Sequence, residues 1–318
     1  MTDNEFILED RLQKIRQIIN KYGEENFYIS FSGGKDSTVL SVLVDMAIPN
    51  NQIPRVYANT GIELNMIRDF VFEMQKRDDR VVVIKPSVPI KKMLEQDGYP
   101  FCSKKHAKKV GTYQRNGWTK TAQNYLYPSE ECKTFACPNI LRYQFSEDFK
   151  LKVDYKCCVN LKEKPLHDWQ KKNKRQIAIV GIMKDEGGSR AKGKCLAFRG
   201  KKISAFQPLI PVTKAWENWF IDTYMVEICE IYKPPYNFER TGCKGCPFAL
   251  KLQNELDTLE KFFPEERKQC EYIWQPVYEE YRRLGYRLRQ PDKYKQIDGQ
   301  ISLDEWMEWN ESTVEYEK

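Results

Sequence analysis

A chain of 318 residues has room for one large α/β domain with additions, or for two small domains. Its 41% hydrophobic and 31% charged residues exclude a disordered chain and fit a soluble globular protein with an ordinary core. No apolar run reaches the roughly 18 residues of a membrane span, and the acidic start MTDNEFILEDRLQ lacks a secretory apolar region, so a cytoplasmic protein without membrane contact is expected.

In chain order, Asn26 to Ser32 (NFYISFS) reads as a short apolar strand, followed by a glycine turn and an apolar helix from Ser37 to about Ala47. Pro49 to Pro54 breaks that helix, Arg55 to Asn59 reads as a second strand, and Leu64 to Arg77 as an amphipathic helix. Arg80 to Lys85 is a third strand, ended by Pro86. Strands alternating with helices imply an α/β fold: a parallel sheet with right-handed crossovers and helices on both faces. Periodicity fades from Gly98 to Asp154, which is taken as an insertion. The pattern resumes at Gln176 to Met183 (QIAIVGIM), Thr213 to Ile231 looks helical, and Leu250 to Arg289 holds further aromatic-rich helices. The expected division is 1–97 and 155–249 as the two parts of a nucleotide-binding domain, 98–154 as the insertion, and 250–318 as a helical C-terminal region.

The formal charge of +7 is concentrated in a few stretches: Lys104, Lys105, Lys108 and Lys109, then Lys171, Lys172, Lys174 and Arg175, then Lys192, Lys194, Arg199, Lys201 and Lys202. Such clusters attract the phosphates of a nucleotide or a nucleic acid, or else form a solvated face. The ten cysteines, without an export signal, point away from disulfides and toward metal or redox chemistry for some of them.

The segment SFSGGKDSTVL sets Ser32, Gly33, Gly34, Lys35, Asp36 and Ser37 between a strand and a helix. There the glycines permit a tight turn, the first helical N–H groups point outward, and Lys35 adds charge for a polyphosphate. Asp36 directly after the lysine, and the short spacing, exclude a Walker A loop. SGGKDS resembles the signature of the PP-loop ATP pyrophosphatases of the adenine nucleotide alpha hydrolase superfamily, a Rossmann-like fold. Tyr57 to Glu63 (YANTGIE) resembles the (Y/F)xxTGxE segment of phosphoadenosine phosphosulfate reductase-like proteins. The resemblance implies that Ser32 to Ser37 hold phosphates, with Lys35 and Asp36 in catalytic roles, and that Asn59, Thr60 and Gly61 contact the nucleoside. A third strand end, from Gly181 through Lys184 and Glu186 to Arg190, is similar to the family's GxRxxES-R segment, with Arg190 as a phosphate or sulfate clamp.

Cys157 and Cys158 lie in YKCCVNLKEKPL, and Cys243 and Cys246 in ERTGCKGCPF. Four such thiols satisfy either zinc or an iron-sulfur cluster, and spacing alone favours zinc. CCVNLKEKPL is similar to the CCxxRKxxPL segment of sulfonucleotide reductases that bind a 4Fe-4S cluster, which implies that these four cysteines are cluster ligands. Lys162 then lies between cluster and nucleotide, and Leu161 replaces the family's arginine. Of the other cysteines, Cys229 reads as core, while Cys102, Cys132 and Cys137 in the insertion, if not ordinary thiols, would serve sulfur relay or metal binding.

The sulfonucleotide reductases use a nucleophilic cysteine in a C-terminal tail, and ISLDEWMEWNESTVEYEK contains none. The resemblance therefore implies the cluster-containing branch similar to phage and DNA phosphorothioation proteins. Such an enzyme would cleave ATP with Mg2+ and adenylate an oxygen that sulfur replaces. Nucleic acid and a sulfur-donor protein such as a cysteine desulfurase would be its partners. A sulfonucleotide reductase acting on adenylyl sulfate or its 3'-phosphate form, and a non-catalytic nucleotide and cluster sensor, are the alternatives.

Overall fold

The computed structural model describes residues 1–129, 136–186 and 193–291. The chain opens with α1 (Asp3–Tyr22), a helix the sequence reading omits. Thr2 and Glu5 cap it reciprocally, and Leu8, Leu12, Ile15 and Ile19 make one buried face at helical spacing. Then come β1 (Phe27–Phe31), α2 (Lys35–Ala47), β2 (Arg55–Ala58), α3 (Asn65–Arg77), β3 (Val81–Ile84) and α4 (Ile90–Asp97). Helix α2 starts two residues before the expected Ser37, so Lys35 and Asp36 belong to its first turn. Residues 98–154 hold α5 (Lys104–Asn116), α6 (Lys120–Leu126) and a 3-10 segment, Asn139–Phe145. The rest comprises α7 (Lys164–Asn173), β4 (Ile177–Ile179), the hairpin of β5 (Leu196–Arg199) and β6 (Lys202–Phe206), α8 (Lys214–Thr223), α9 (Leu252–Phe262) and α10 (Pro264–Leu284).

The sheet has strand order β3-β2-β1-β4-β6-β5, and every neighbouring pair is parallel except β5 with β6. The expected α/β architecture is therefore present. Alternate residues of β1 serve opposite faces. Phe27, Ile29 and Phe31 enter a core shared with α1, α2 and α8, while Tyr28 meets Trp169 of α7 at a ring distance of 5.4 Å.

A second core joins α3 to α6 with α9 and α10, so residues 98–154 and the C-terminal helices bury a common set of side chains. Phe101 meets Tyr281 edge-on at 4.6 Å, and fully buried His106 bonds Gln144 Oε1 (2.8 Å) and Tyr125 Oη (3.1 Å). Burial holds that imidazole near a pKa of about 4, so it packs as a neutral ring.

Candidate functional site

From β1 the chain runs to β2 on one side of the sheet, and from β4 it runs to β5 and β6 on the other. The loops after β1 and β4 thus flank a topological switch point, where open α/β sheets bind ligands. Ser32 Oγ meets Ser37 Oγ at 3.0 Å and accepts from Gly34 N at 3.3 Å, while Ser37 Oγ donates to Gly34 O at 2.9 Å. Gly33 has φ +72, and a Cβ there would meet Val71 Cγ2 at 2.6 Å, so the turn needs glycine on both counts. Gly181, just past β4, approaches the backbone of Asp36 so closely that a Cβ would stand 2.9 Å from its carbonyl oxygen.

These segments enclose a cavity of about 280 Å³ lined by Ser32, Gly34, Lys35, Asp36, Ser37 and Gly181. Its further walls are residues the sequence reading missed: Tyr232, Glu239, Arg240 and Thr241. The Tyr232 and Thr241 hydroxyls bond each other. Asn59, Thr60 and Gly61 line a different cavity, of about 590 Å³, with Glu63, Arg68 and Lys85. The nucleotide residues named from sequence therefore divide between two cavities at the strand ends. Arg190, Cys132 and the remainder of the loop after Glu186 lie outside the described residues.

Lys35 is engaged within the protein. Its ammonium pairs with Glu217 of α8, a residue with no exposed surface. Glu217 Oε1 is buried without a hydrogen-bond partner. Burial, then the charge of Asp36, push this carboxyl up to about 7 against the pull of Lys35. An ordinary amphipathic position of a helix gave no signal for it.

The cysteines converge. Each of Cys157, Cys158, Cys243 and Cys246 lies within electrostatic reach of the other three. The Cys157 thiol donates to Cys158, which is pulled down to about 6 by that bond first and by Lys104 and Lys162 further. Burial raises Cys246, and raises Cys243 to about 11 although Lys162 bonds it. Among the described residues no group of three or more His, Cys, Asp or Glu side chains is arranged to hold a single metal ion. As chemistry the donor set fits a soft-metal centre: four free thiols from two segments, facing one another beside cations.

A π-helical turn, Val159–Glu163, follows the paired cysteines and presents Lys162. Lys162 Nζ stands 3.5 Å from Glu63 Oε1, and Glu63 accepts from Thr60 N (3.0 Å) and Thr60 Oγ1 (2.6 Å). Burial lowers the Lys162 pKa, but Cys243, Glu63 and Cys158 outweigh it and the net direction is upward. Glu63 and Cys243 also pair as an isolated antiparallel bridge, with Lys244 N donating to Ile62 O at 2.8 Å. Thr60, Glu63, Lys162 and Cys243 thus form a bonded path from the end of β2 to the thiols.

Residues 133–249 match the phosphoadenosine phosphosulfate reductase domain family. The phosphoadenosine phosphosulfate reductase match spans both cysteine pairs, Lys162, Gly181, Arg240 and Thr241, and starts after the SGGKDS loop. Among solved structures, the chain is similar to a phosphoadenylyl-sulfate reductase from Candida auris at 11% identity, covering 76% of this chain and 96% of that one, TM-score 0.43. It is similar to the NH3-dependent NAD synthetase of Campylobacter jejuni at 12% identity, covering 87% and 96%, TM-score 0.38. The U34-tRNA thiolase NcsA of Methanococcus maripaludis, with its [4Fe-4S] cluster, is similar at 16% identity, covering 94% and 82%, TM-score 0.37. No curated protein matches the chain. No helix among the described residues is long and apolar enough to cross a membrane.

Proposed function

We propose that this chain is a PP-loop ATP pyrophosphatase that adenylates an acceptor for sulfur transfer, with Cys157, Cys158, Cys243 and Cys246 as ligands of a 4Fe-4S cluster. One observation carries the reading: Arg240 and Thr241 line the phosphate cavity, and two residues later Cys243 enters the thiol set. A single short stretch serves polyphosphate and thiols together.

In this reading an acceptor oxygen attacks the α-phosphorus of ATP, the bond from that phosphorus to the bridging oxygen breaks, and pyrophosphate leaves with the electron pair. The N–H groups and hydroxyls of Ser32 to Ser37 cradle the leaving group, with Mg2+ sharing its charge. Lys35 and Arg240, together with Arg190, stabilise the charge that develops there. Asp36, whose charge acts on the Glu217 carboxyl that holds the Lys35 ammonium, tunes that pairing, and Asn59, Thr60 and Gly61 hold the nucleoside side of the ligand in the larger cavity. Lys162 holds its charge between that cavity and the cysteines. When bound, the cluster supplies a site where a sulfide can be positioned. A nucleic acid supplies the acceptor oxygen; a sulfur-donor protein of the cysteine desulfurase type supplies a persulfide, a thiol reductant brings the two electrons that release its outer sulfur as sulfide, and the sulfide displaces the adenylated oxygen, which leaves with AMP.

The test begins with anaerobic purification, visible absorption and metal analysis, followed by a pyrophosphate assay with ATP and nucleic acid. Lys35→Ala should cut pyrophosphate release on the order of 100-fold, and Cys243→Ser should lose iron while still binding ATP. A colourless, zinc-loaded protein would sink the cluster assignment. The domain match over residues 133–249 favours a second reading, sulfonucleotide reduction. Sulfite formed from adenylyl sulfate or its 3'-phosphate form, without pyrophosphate from ATP, would establish that one instead.

A further inference from the structure

Helix α5 is an unusual surface element. His106, Ala107, Val110 and Gly111 face inward and are buried, and the His106 bonds to Gln144 and Tyr125 fix the helix on its core. Its outer side carries Lys104, Lys105, Lys108 and Lys109 at positions i, i+1, i+4 and i+5, with no acidic residue in the helix. Among the described residues no carboxylate pairs with Lys104, Lys108 or Lys109. Cations that do have a carboxylate partner include Arg77 with Glu227 (2.8 Å), Arg80 with Asp78 (2.8 Å) and Arg283 with Glu280 (2.8 Å). Like charges four apart on a helix repel, and cations in a first turn oppose the helix dipole. The Lys109 pKa is lowered, by burial and then by Lys105 and Lys108. The fold therefore tolerates an electrostatic cost that a bound polyanion would relieve.

Exposed aromatic rings lie in the segment that follows α5 in the chain. Trp118 is 53% exposed and rests edge-on against Tyr113 at 4.9 Å, and Tyr127 is 72% exposed. Lys108 lies over the Tyr155 ring at 5.6 Å, just before the paired cysteines, and Lys104 is within electrostatic reach of Cys158. A lipid surface would need an apolar strip along the outer side of α5, and the apolar residues of this helix all turn inward. A row of lysines with exposed rings in the following segment instead matches a backbone of phosphates whose bases are free to stack.

We infer that the outer face of α5, together with the exposed rings of Trp118 and Tyr127 in the segment after it, docks a single-stranded stretch of nucleic acid alongside the four-cysteine centre. Delivery of an acceptor to that centre rests on the proposed function, whereas docking itself does not.

The experiment is fluorescence anisotropy of the full chain with labelled DNA and RNA single strands of about 20 nucleotides, and with the matching duplex, over a salt series. Binding should weaken linearly on logarithmic axes. Replacing Lys104, Lys105, Lys108 and Lys109 by Gln should lower affinity at least about tenfold and make the slope shallower by roughly 3. Trp118→Ala should weaken binding roughly fivefold or more with the slope unchanged. Lys171→Gln with Lys172→Gln on α7 should alter neither. A folded quadruple variant with the parental slope would overturn the inference, as would equal affinity for the duplex, or binding to phosphatidylserine vesicles without binding to the strands. Comparing DNA with RNA tells which sugar the face accepts. ATP affinity, measured in parallel, should be unchanged in the quadruple variant, because none of the four lysines lines the phosphate cavity. Strand binding without any pyrophosphate release would leave this inference standing and remove the proposed function.

Discussion

Lys35 and Glu217 show where residue-by-residue reading succeeds and where it stops. Ser32 to Ser37 are contiguous, and a strand, two glycines and a helix start define their environment locally. Glu217 lies 182 residues from Lys35, and nothing about a glutamate in an amphipathic helix announces that it is fully buried. Its raised pKa of about 7 has a signed consequence. The native state holds a proton on Glu217 that the unfolded chain has already released, so this group's contribution is most favourable below the unfolded value of about 4.3 and is lost as pH rises toward 7. Glu217→Gln should remove that loss. Relative to parent, the variant should gain on the order of 2 to 3 kcal/mol between about pH 4.5 and pH 8 in urea unfolding. It should also bind ATP about tenfold more tightly at pH 8, since Lys35 no longer has a resident counter-ion. Parallel pH profiles for the two proteins would show that Glu217 titrates normally in the folded chain.

At the scale of elements, the CxxC loop owes its shape to α10. Trp274 Nε1 donates to Lys244 O at 3.1 Å, Tyr281 Oη to Pro247 O at 2.9 Å, and Tyr278 Oη to Gly245 O. Arg287, just beyond the helix, donates to Pro247 O at 2.8 Å. Beneath the loop, Lys244 Nζ meets Glu266 Oε2 at 2.8 Å, and both side chains are almost fully buried. Cutting one partner of such a pair leaves the other charge buried and alone. Lys244→Met should therefore cost about 3 kcal/mol or more in urea unfolding, and adding Glu266→Leu should recover much of it. No recovery in the double variant would mean that Lys244 acts through its alkyl packing. The aromatic spacing of α10 was legible as helix, but its partner was not, because side-chain to carbonyl bonds leave no periodic trace. Other misses share a physical cause. Helix α7 begins at Lys164 with Pro165 in its first turn, directly after a π-helical turn, and the paired cysteines and proline break any helical periodicity, so the sequence reading assigns no element there. The β5 and β6 hairpin has two short strands joined at Gly200 among lysines, and charge masked its alternation. Helix α8 stops at Thr223, well short of Ile231, and Met225 beyond it takes a positive φ of 45°.

Across the whole molecule, the described residues form two hydrophobic cores. One holds residues of β1, β4, α1, α2 and α8, and the other holds the helices around the cysteines. The parallel sheet was legible because strand and helix periodicities alternate cleanly up to Pro86. The union of residues 98–154 with α9 and α10 was not, since their shared core is assembled from contacts such as Cys102 N to Tyr281 Oη, 179 positions apart. Glu63 bonds Thr60 at the end of β2 and pairs with Lys162 beside the thiols. In the proposed cluster-bound protein, the cysteine centre would add negative charge next to Lys162, and so would shift how strongly Lys162 pulls on Glu63 and how firmly Thr60 is held. ATP affinity, measured by calorimetry, should therefore differ between iron-loaded and iron-free protein by about fivefold, a coupling of roughly 1 kcal/mol. In Glu63→Gln, which can still accept from Thr60 but carries no charge for Lys162, the same ratio should shrink below about twofold. An undiminished ratio in the variant would place the coupling elsewhere, with the stretch from Arg240 to Cys243 as the remaining covalent route between the cavities.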